Sequence, residues 1–253
     1  MAEQVPATPY PKAPIVEALL GFHFDQHLPR RSLERFARSH RKSFPAQQQM
    51  FDINLDQGST SKPGSVKANG FILTNADKAV TIVVRPETIS AGRLPPYTTW
   101  DDLVDHAKEV WGEIKEVAGH PKVSRLSTRF INRIDIRTRV SGSSALPQPL
   151  ILGDYFNLGF TIPQPLAEFP LEKFHINFYT GSPNGTLKQT IQLATTPSPL
   201  IDYASFLLDI DVATTEPVPM RDKEMWAVAK ELRDRKNELF QSCITDNTRR
   251  LFA

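Results

Sequence analysis

At 253 residues, 40% apolar and 23% charged, the chain has the composition of a soluble globular protein, long enough for one large domain or two small ones. Its net charge of +2 is too mild to argue for nucleic acid in bulk, so only a local basic patch can do so. The single cysteine, Cys243, excludes an internal disulfide and a cysteine-rich zinc site, and no apolar run approaches the roughly 18 residues of a membrane helix.

The opening MAEQVPATPYPKAP has neither a basic n-region nor an apolar h-region, so no signal peptide is expected and the predicted location is the cytoplasm. Its four prolines make residues 1–14 an extended arm. Ile15 to Phe24 alternates as a first strand. Pro29 precedes a helix expected from about Ser32, a plausible N-cap, to Phe44. Leu33, Phe36, Ala37, His40 and Phe44 form its inner stripe, and Arg35, Arg38, Arg41 and Lys42 lie outside it. Met50 to Leu55, Val66 to Thr74, Ala79 to Arg85 and Thr88 to Leu94 read as strands, with a hairpin through Asn75-Ala76-Asp77-Lys78.

The cleanest helix follows. Thr99 is its N-cap and Asp102 stands at N3. Trp100, Leu103, Val104, Ala107, Val110, Trp111, Ile114, Val117 and Ala118 keep helical spacing until Gly119 and Pro121. Val123 to Val140 then reads as a long strand. Ser141 to Pro149 is the linker candidate, and Phe156 to Ile162 a short strand. Phe174 to Thr180, Thr186 to Ala194 and Ala204 to Val212 form a three-strand meander, followed by a long helix from about Asp222 to Cys243. A short helix capped near Thr245 or Asp246 ends the chain.

The sum is an α+β fold of mostly antiparallel sheet with two long amphipathic helices. An arm (1–14), an N-terminal half (15–140), a linker (141–149) and a C-terminal half (150–253) are expected. Each half carries a meander followed by a helix with a tryptophan near its start, Trp100 and Trp226, which suggests two related halves.

Several strings accumulate in order: PIVEALLGFHF at 14–24, LPPYTTWDDL at 94–103, RFINRIDI at 129–136, FLLDIDV at 206–212 and LRDRKNELFQSCITDNTRRLF at 232–252. In these, over nearly its whole length, the chain resembles a sporadically distributed bacterial family of uncharacterised proteins. The resemblance implies no activity, cofactor or catalytic residue. The patchy distribution implies an accessory role such as defence, toxin–antitoxin or mobile-element biology.

The sharpest chemical feature is the strand VSRLSTRFINRIDIRTRV. With a period of two it puts Arg125, Arg129, Arg133, Arg137 and Arg139 on one face and Leu126, Phe130, Ile134, Ile136 and Val140 on the other. Arg125, Arg129 and Arg133 stand four residues apart, about 13 Å, wider than one phosphate. Such a row suits an acidic partner surface or a polyanion. The structural alternative is a cross-strand ladder with Asp209 and Asp211, which share one face of FLLDIDV. A second basic group is Arg30, Arg31, Arg35, Arg38, Arg41 and Lys42, where phosphate contact or a solvated face are both open. Asp209 and Asp211 are weak candidates for a Mg²⁺ pair. Asn132 falls on the apolar face, either bonding backbone or pointing into a pocket.

No G-x-S-x-G, phosphate loop, dinucleotide fingerprint or histidine ligand spacing is present, and no cofactor is expected. The reading is a non-enzymatic interaction protein with a protein partner or anionic ligand on the Arg125/Arg129/Arg133/Arg137 face. The alternatives are nucleic-acid binding through both basic surfaces and, third, a metal-dependent enzyme using the Asp pair.

Overall fold

Among the described residues, alternating apolar and polar residues form nine strands: β1 (Ile15–Phe24), β2 (Ala46–Asn54), β3 (Ser65–Thr74), β4 (Val80–Val84), β5 (Thr88–Arg93), β6 (Val123–Arg137), β7 (His175–Gly181), β8 (Leu187–Thr196) and β9 (Tyr203–Thr214). The helices are α1 (Arg30–Ser39), α2 (Trp100–Ala118), α3 (Asp222–Cys243) and α4 (Asp246–Leu251). The computed structural model describes residues 10–54, 65–138, 150–159, 173–219 and 221–253. The fold is mixed α and β with one antiparallel sheet in the order β2-β3-β4-β5-β1-β6-β9-β8-β7. The expected linker at 141–149, together with Arg139 and Val140, lies outside the described residues.

The contacts divide the chain into two units. One comprises Ala18–Ser127 with Glu216–Ala229; the other comprises Met1–Glu17, Thr128–Thr215 and Lys230–Ala253. The divisions fall inside β1, β6 and α3, so they do not follow a split into sequence halves.

In the first unit α1 and α2 cover one face of the strands. Leu33 and Phe36 of α1, Ile114 of α2 and Ile89 of β5 meet around a small apolar space. Phe22 of β1 stacks on Trp111 at 5.1 Å and meets the edge of Trp226 at 6.1 Å. α2 is defined at both ends by its sequence. The Thr99 hydroxyl accepts from the Asp102 amide at 3.1 Å, and Gly119 takes the left-handed conformation, φ 72°, that closes the last turn. The carboxyl of Asp102 is held below its usual range by the Thr98 and then Thr99 hydroxyls. In the β3–β4 hairpin the Asn75 side chain accepts from the amides of Ala79 and Val80, while Lys78 takes a positive φ of 57°.

The structure corrects α1. Pro29, not Ser32, occupies the N-cap; the Ser32 amide donates to Pro29 O inside the first turn. The helix stops at Ser39 rather than Phe44. There the His40 ring bonds the Phe36 carbonyl at 2.8 Å, and residues 40–43 form turns. β2 starts earlier than expected, at Ala46, directly after Pro45. Near Phe156 only a single bridge to Ile244 forms within the described residues.

In the second unit β7, β8 and β9 form the expected meander. Phe206, Leu208, Ile210 and Val212 of β9 and Phe130, Ile134 and Ile136 of β6 are buried, as are Leu232 and Phe240 of α3. Part of the N-terminal arm is docked. Tyr10 packs edge-on against Phe252 at 5.4 Å and donates to Gln241, and Lys12 N–H bonds Phe252 O. No helix among the described residues is long and apolar enough to cross a membrane.

Candidate functional site

β6 alternates as its sequence demands. Leu126, Thr128, Phe130, Asn132, Ile134 and Ile136 are buried, while Arg125, Ser127, Arg129, Ile131, Arg133, Asp135 and Arg137 are open to varying degrees. The four described arginines therefore share a face of one strand, yet their surroundings differ.

In the second unit Arg129 is bound internally. Its Nε lies 3.0 and 3.1 Å from the two carboxylate oxygens of Asp209, and Nη2 lies 2.5 Å from Oδ2. The Asp209 side chain is 10% exposed, that of Arg129 43%. This bidentate bond raises the Arg129 pKa and keeps the guanidinium protonated. Glu17 stands in the same field. Burial raises its pKa, Arg129 opposes that rise and Asp209 adds to it. Arg133 takes an acid from its own strand. Nε donates to Asp135 at 3.0 Å and Nη2 to the Pro197 carbonyl at 2.8 Å, while Asp135 also accepts a short bond from Ser205. The Arg137 guanidinium lies 5.8 Å from the Tyr203 ring centre. The ladder expected with Asp209 thus forms at Arg129, and Asp135 rather than Asp211 serves Arg133. Asn132 donates to the Leu208 carbonyl at 3.0 Å, a structural role.

Arg125 belongs to the first unit, and no carboxylate lies within ion-pair distance of it among the described residues. Its Nη2 meets the His23 ring, 2.9 Å from Nδ1 and 3.2 Å from Nε2. In the ring plane Nδ1 is 3.0 Å from the Thr88 hydroxyl and Nε2 is 3.0 Å from the Ser127 hydroxyl. Burial first, and the Arg125 charge second, lower the His23 pKa to about 4, so the ring is neutral at physiological pH. The guanidinium can only donate, and its Nη2 stands within hydrogen-bond distance of both ring nitrogens, so the contacts fit either tautomer, with the Ser127 hydroxyl accepting from or donating to Nε2.

That hydroxyl leans over Gly21, whose strand position lies opposite Ser90 in β5. A methyl added at Gly21 would stand 2.8 Å from Ser127 Oγ, 3.0 Å from Ser90 Oγ and 3.5 Å from His23 Nε2. Gly21 is buried, and the two hydroxyls close over it with less room than a methyl group needs. His23 has no expected partner in the sequence analysis. The available signal was strand alternation, which sets Gly21 and His23 on the face of β1 opposite Leu20 and Phe22.

Arg31, Arg35, Arg38, Arg41 and Lys42 are exposed on and after α1, and Arg30 pairs with Glu34 at 2.9 Å. α1 packs on the sheet face that carries Phe22 and Ile89, whereas Arg125 projects from the other face of the first unit. The two basic groups do not merge. A cleft of about 480 Å³ near them is lined by residues that include His27, Leu28, Arg30, Leu33, Asn69 and Phe71.

Three buried polar groups went unnoticed or were read as packing. Lys236 of α3 is 6% exposed, with Nζ 3.7 Å from the Phe130 ring centre and 2.5 Å from Asn237 Oδ1; burial, then the Arg233 charge, lower its pKa to about 7. Its signal was helical spacing, since Leu232, Lys236 and Phe240 form one stripe. His40 bridges Phe36 O and Glu113, whose carboxyl is raised by burial against the opposing pull of His40. Cys243 is buried, which pushes its thiol up to about 11. Among the described residues no group of three or more His, Cys, Asp or Glu side chains could hold a metal, and Asp209 is engaged by Arg129. No family model matches the chain, and no match to it is found among curated proteins.

Proposed function

We propose that this chain is a non-enzymatic binding protein that engages an anionic group of a partner through the open face of its sheet, with Arg125 as the anchor. One observation carries the reading. Arg129 and Arg133 hold Asp209 and Asp135, whereas among the described residues Arg125 holds a neutral imidazole and no carboxylate. A half-buried guanidinium without a counter-charge is costly, and a ligand carboxylate or phosphate offsets that cost. A histidine with a pKa near 4 is a feeble base at neutral pH, which favours recognition over proton transfer. The resemblance noted in the sequence adds an accessory role in defence or toxin–antitoxin biology, while the arginine face favours a protein partner and the sequence of the N-terminus a cytoplasmic location. Co-purification with the product of a neighbouring gene tests that part.

The binding reading is tested with a polyanion probe, polyphosphate, titrated calorimetrically at low salt into the wild type, Arg125→Ala and Arg129→Ala, all held well below their melting temperatures. Arg125→Ala should lose at least about tenfold in affinity, the worth of one charge-assisted contact. Arg129→Ala should lose stability while keeping most of its affinity. Equal affinity in wild type and Arg125→Ala would remove the reading.

A second reading, nucleic-acid binding, is favoured by one feature alone. Arg31, Arg35 and Arg38 follow i, i+4, i+7 spacing on one exposed side of α1, and Arg41 and Lys42 are exposed in the turns that follow it. It calls on α1 and not on Arg125, because the two project from opposite sides of the first unit.

A further inference from the structure

Strand β7 stands at the end of the strand order, and among the described residues only β8 pairs with it. Its neighbours fix which way its backbone groups point. Phe174 O accepts from the Thr195 N–H at 3.1 Å, and the Ser182 N–H donates to Leu187 O at 3.0 Å. Alternation then turns the N–H and C=O of Ile176, Phe178 and Thr180 toward β8, and those of His175, Asn177, Tyr179 and Gly181 away from it. All four outward residues are exposed, Tyr179 by 75%. No described residue bonds their outward backbone groups.

Proteins blunt such an edge with proline, charge or a bulge. β2, at the other end of the strand order, has all three. Pro45 precedes it, Asp52 lies in it, and its pairing with β3 shifts register between Met50 and Phe51. β7 has none. The run HINFYTG holds no proline and no Asp, Glu, Lys or Arg, and its pairing with β8 keeps one register throughout. An open, uncharged edge is a template for a further strand.

We infer that β7 pairs antiparallel with β7 of a second copy of this chain, about a two-fold axis at Phe178. His175 then faces Gly181 of the other copy, and Asn177 faces Tyr179.

Three observations select a second copy as the occupant. The register centred on Phe178 matches all four outward residues with one another, and each pair exchanges both of its bonds. Centring it on Ile176 or Thr180 leaves two of the four without a partner from β7. The strand is uncharged, so two-fold pairing sets no like charges opposite each other. The apolar face also continues across the axis. Ile176 and Phe178 are half-buried beside the buried Leu193 and Ile191, and the two Phe178 side chains meet at the axis as a non-hydrogen-bonded pair. Seven residues span about 23 Å, which puts the contact below the standard area of about 800 Å² per partner and its dissociation constant in the micromolar range. β7 lies in the second unit and Arg125 in the first, so this pairing stands or falls apart from the Arg125 reading.

Sedimentation velocity of the full chain from about 1 to 500 µM tests the pairing. The wild type should pass from monomer to dimer within that range. Asn177→Lys/Tyr179→Lys and Asn177→Glu/Tyr179→Glu each set like charges opposite one another across the axis. Both side chains are exposed and the bonds to β8 are untouched, so each variant should fold, which circular dichroism checks. Each alone should dimerise at least tenfold more weakly than wild type. An equimolar mixture of the two should regain a dimer at least as tight as wild type, because lysine then faces glutamate. A wild type that stays monomeric at the highest concentration overturns the inference. So does a dimer that both variants retain, which lies on another surface, and so do open polymers, which mean pairing of β7 with β2. Should a charged variant fail to fold, Asn177→Pro decides. The N–H of residue 177 points away from β8, so proline removes an outward donor and no bond within the chain. A dimer of undiminished affinity in Asn177→Pro overturns the inference.

Discussion

Replacing Arg129 by alanine is the most searching perturbation of the arginine strand, because it separates scaffold from site. The Asp209 carboxylate accepts three close contacts from Arg129 and is only 10% exposed. Losing the guanidinium leaves that charge nearly buried, with Glu17 adding like charge nearby. Orphaning a fully buried partner costs about 3–5 kcal/mol. The Arg129 side chain is 43% exposed, so water refills part of the gap, and about 2–3 kcal/mol is the discounted expectation. At about 2–4 °C per kcal/mol for a chain of this size, the melting temperature should fall by about 5–10 °C. Calorimetry at pH 7.5 reads this directly. The double variant Arg129→Ala/Asp209→Asn neutralises the orphan and should recover all but about 1 kcal/mol. The penalty should also shrink toward acid pH. Without Arg129 to hold it down, Glu17 takes up a proton more readily in the folded state, and a raised acid favours folding at low pH and loses that advantage as pH rises through its folded value. An unchanged melting temperature, or additive single variants with no rescue, would refute the argument.

Lys236 gives a prediction of opposite sign. Its folded pKa is about 7 against an ordinary 10.5, so the unfolded chain holds a proton that the folded chain lacks between those values. Stability should rise with pH across that window, by at most roughly 5 kcal/mol, with the burial cost fully present below pH 7. Lys236→Met keeps a flexible apolar contact on Phe130 and should flatten the slope; a slope identical to wild type in urea unfolding would sink the idea. His23, lowered to about 4, should cost stability as pH falls from about 6.5 through 4, and His23→Gln should lose less over that range, read as melting temperature against pH. For α1, anisotropy of a labelled single-stranded 20-mer should report binding that weakens steeply between about 50 and 200 mM salt and vanishes in Arg35→Glu/Arg38→Glu, while Arg125→Ala leaves it unmoved. No binding at the lower salt would remove the nucleic-acid reading.

What was legible in the sequence followed from short-range periodicity. The β6 alternation, the Thr99 cap, the Gly119 stop and the β7–β8–β9 meander need only neighbours in the chain. The Arg129–Asp209 pair was legible one step further out, because two strands each carried charge on one face and apolar residues on the other. The contacts of His23 were not. They join residues 23, 88, 125 and 127, and exist only because β1 lies between β5 and β6. No periodicity states that neighbour relation. Lys236 failed for a different reason: charge overrode spacing, although Leu232, Lys236 and Phe240 share a helix stripe. The basic helix was misread at its ends, where Pro29 and the His40 ring, rather than Ser32 and Pro45, decide the boundaries.

Acids placed beside Arg129 and Arg133 show that this fold has simple means of neutralising an arginine on β6. Strand pairing gives it the same means at Arg125, since position 23 is already in contact with the guanidinium and faces Thr88 across β5. The chain spends that position on a histidine and the flanking ones on serine and threonine, none of which carries negative charge. If Arg125 served only the scaffold, an acid at 23 would improve the protein without loss. His23→Glu should then supply the missing counter-charge and raise stability by about 1 kcal/mol, because the new pair is only partly buried. It should also place a carboxylate where an anionic ligand would bind and abolish polyphosphate affinity. Calorimetric melting and titration on the same sample read both effects. Greater stability together with lost binding is the signature of a position held neutral for a ligand. Greater stability with binding intact would mean that Arg125 is not where the ligand goes.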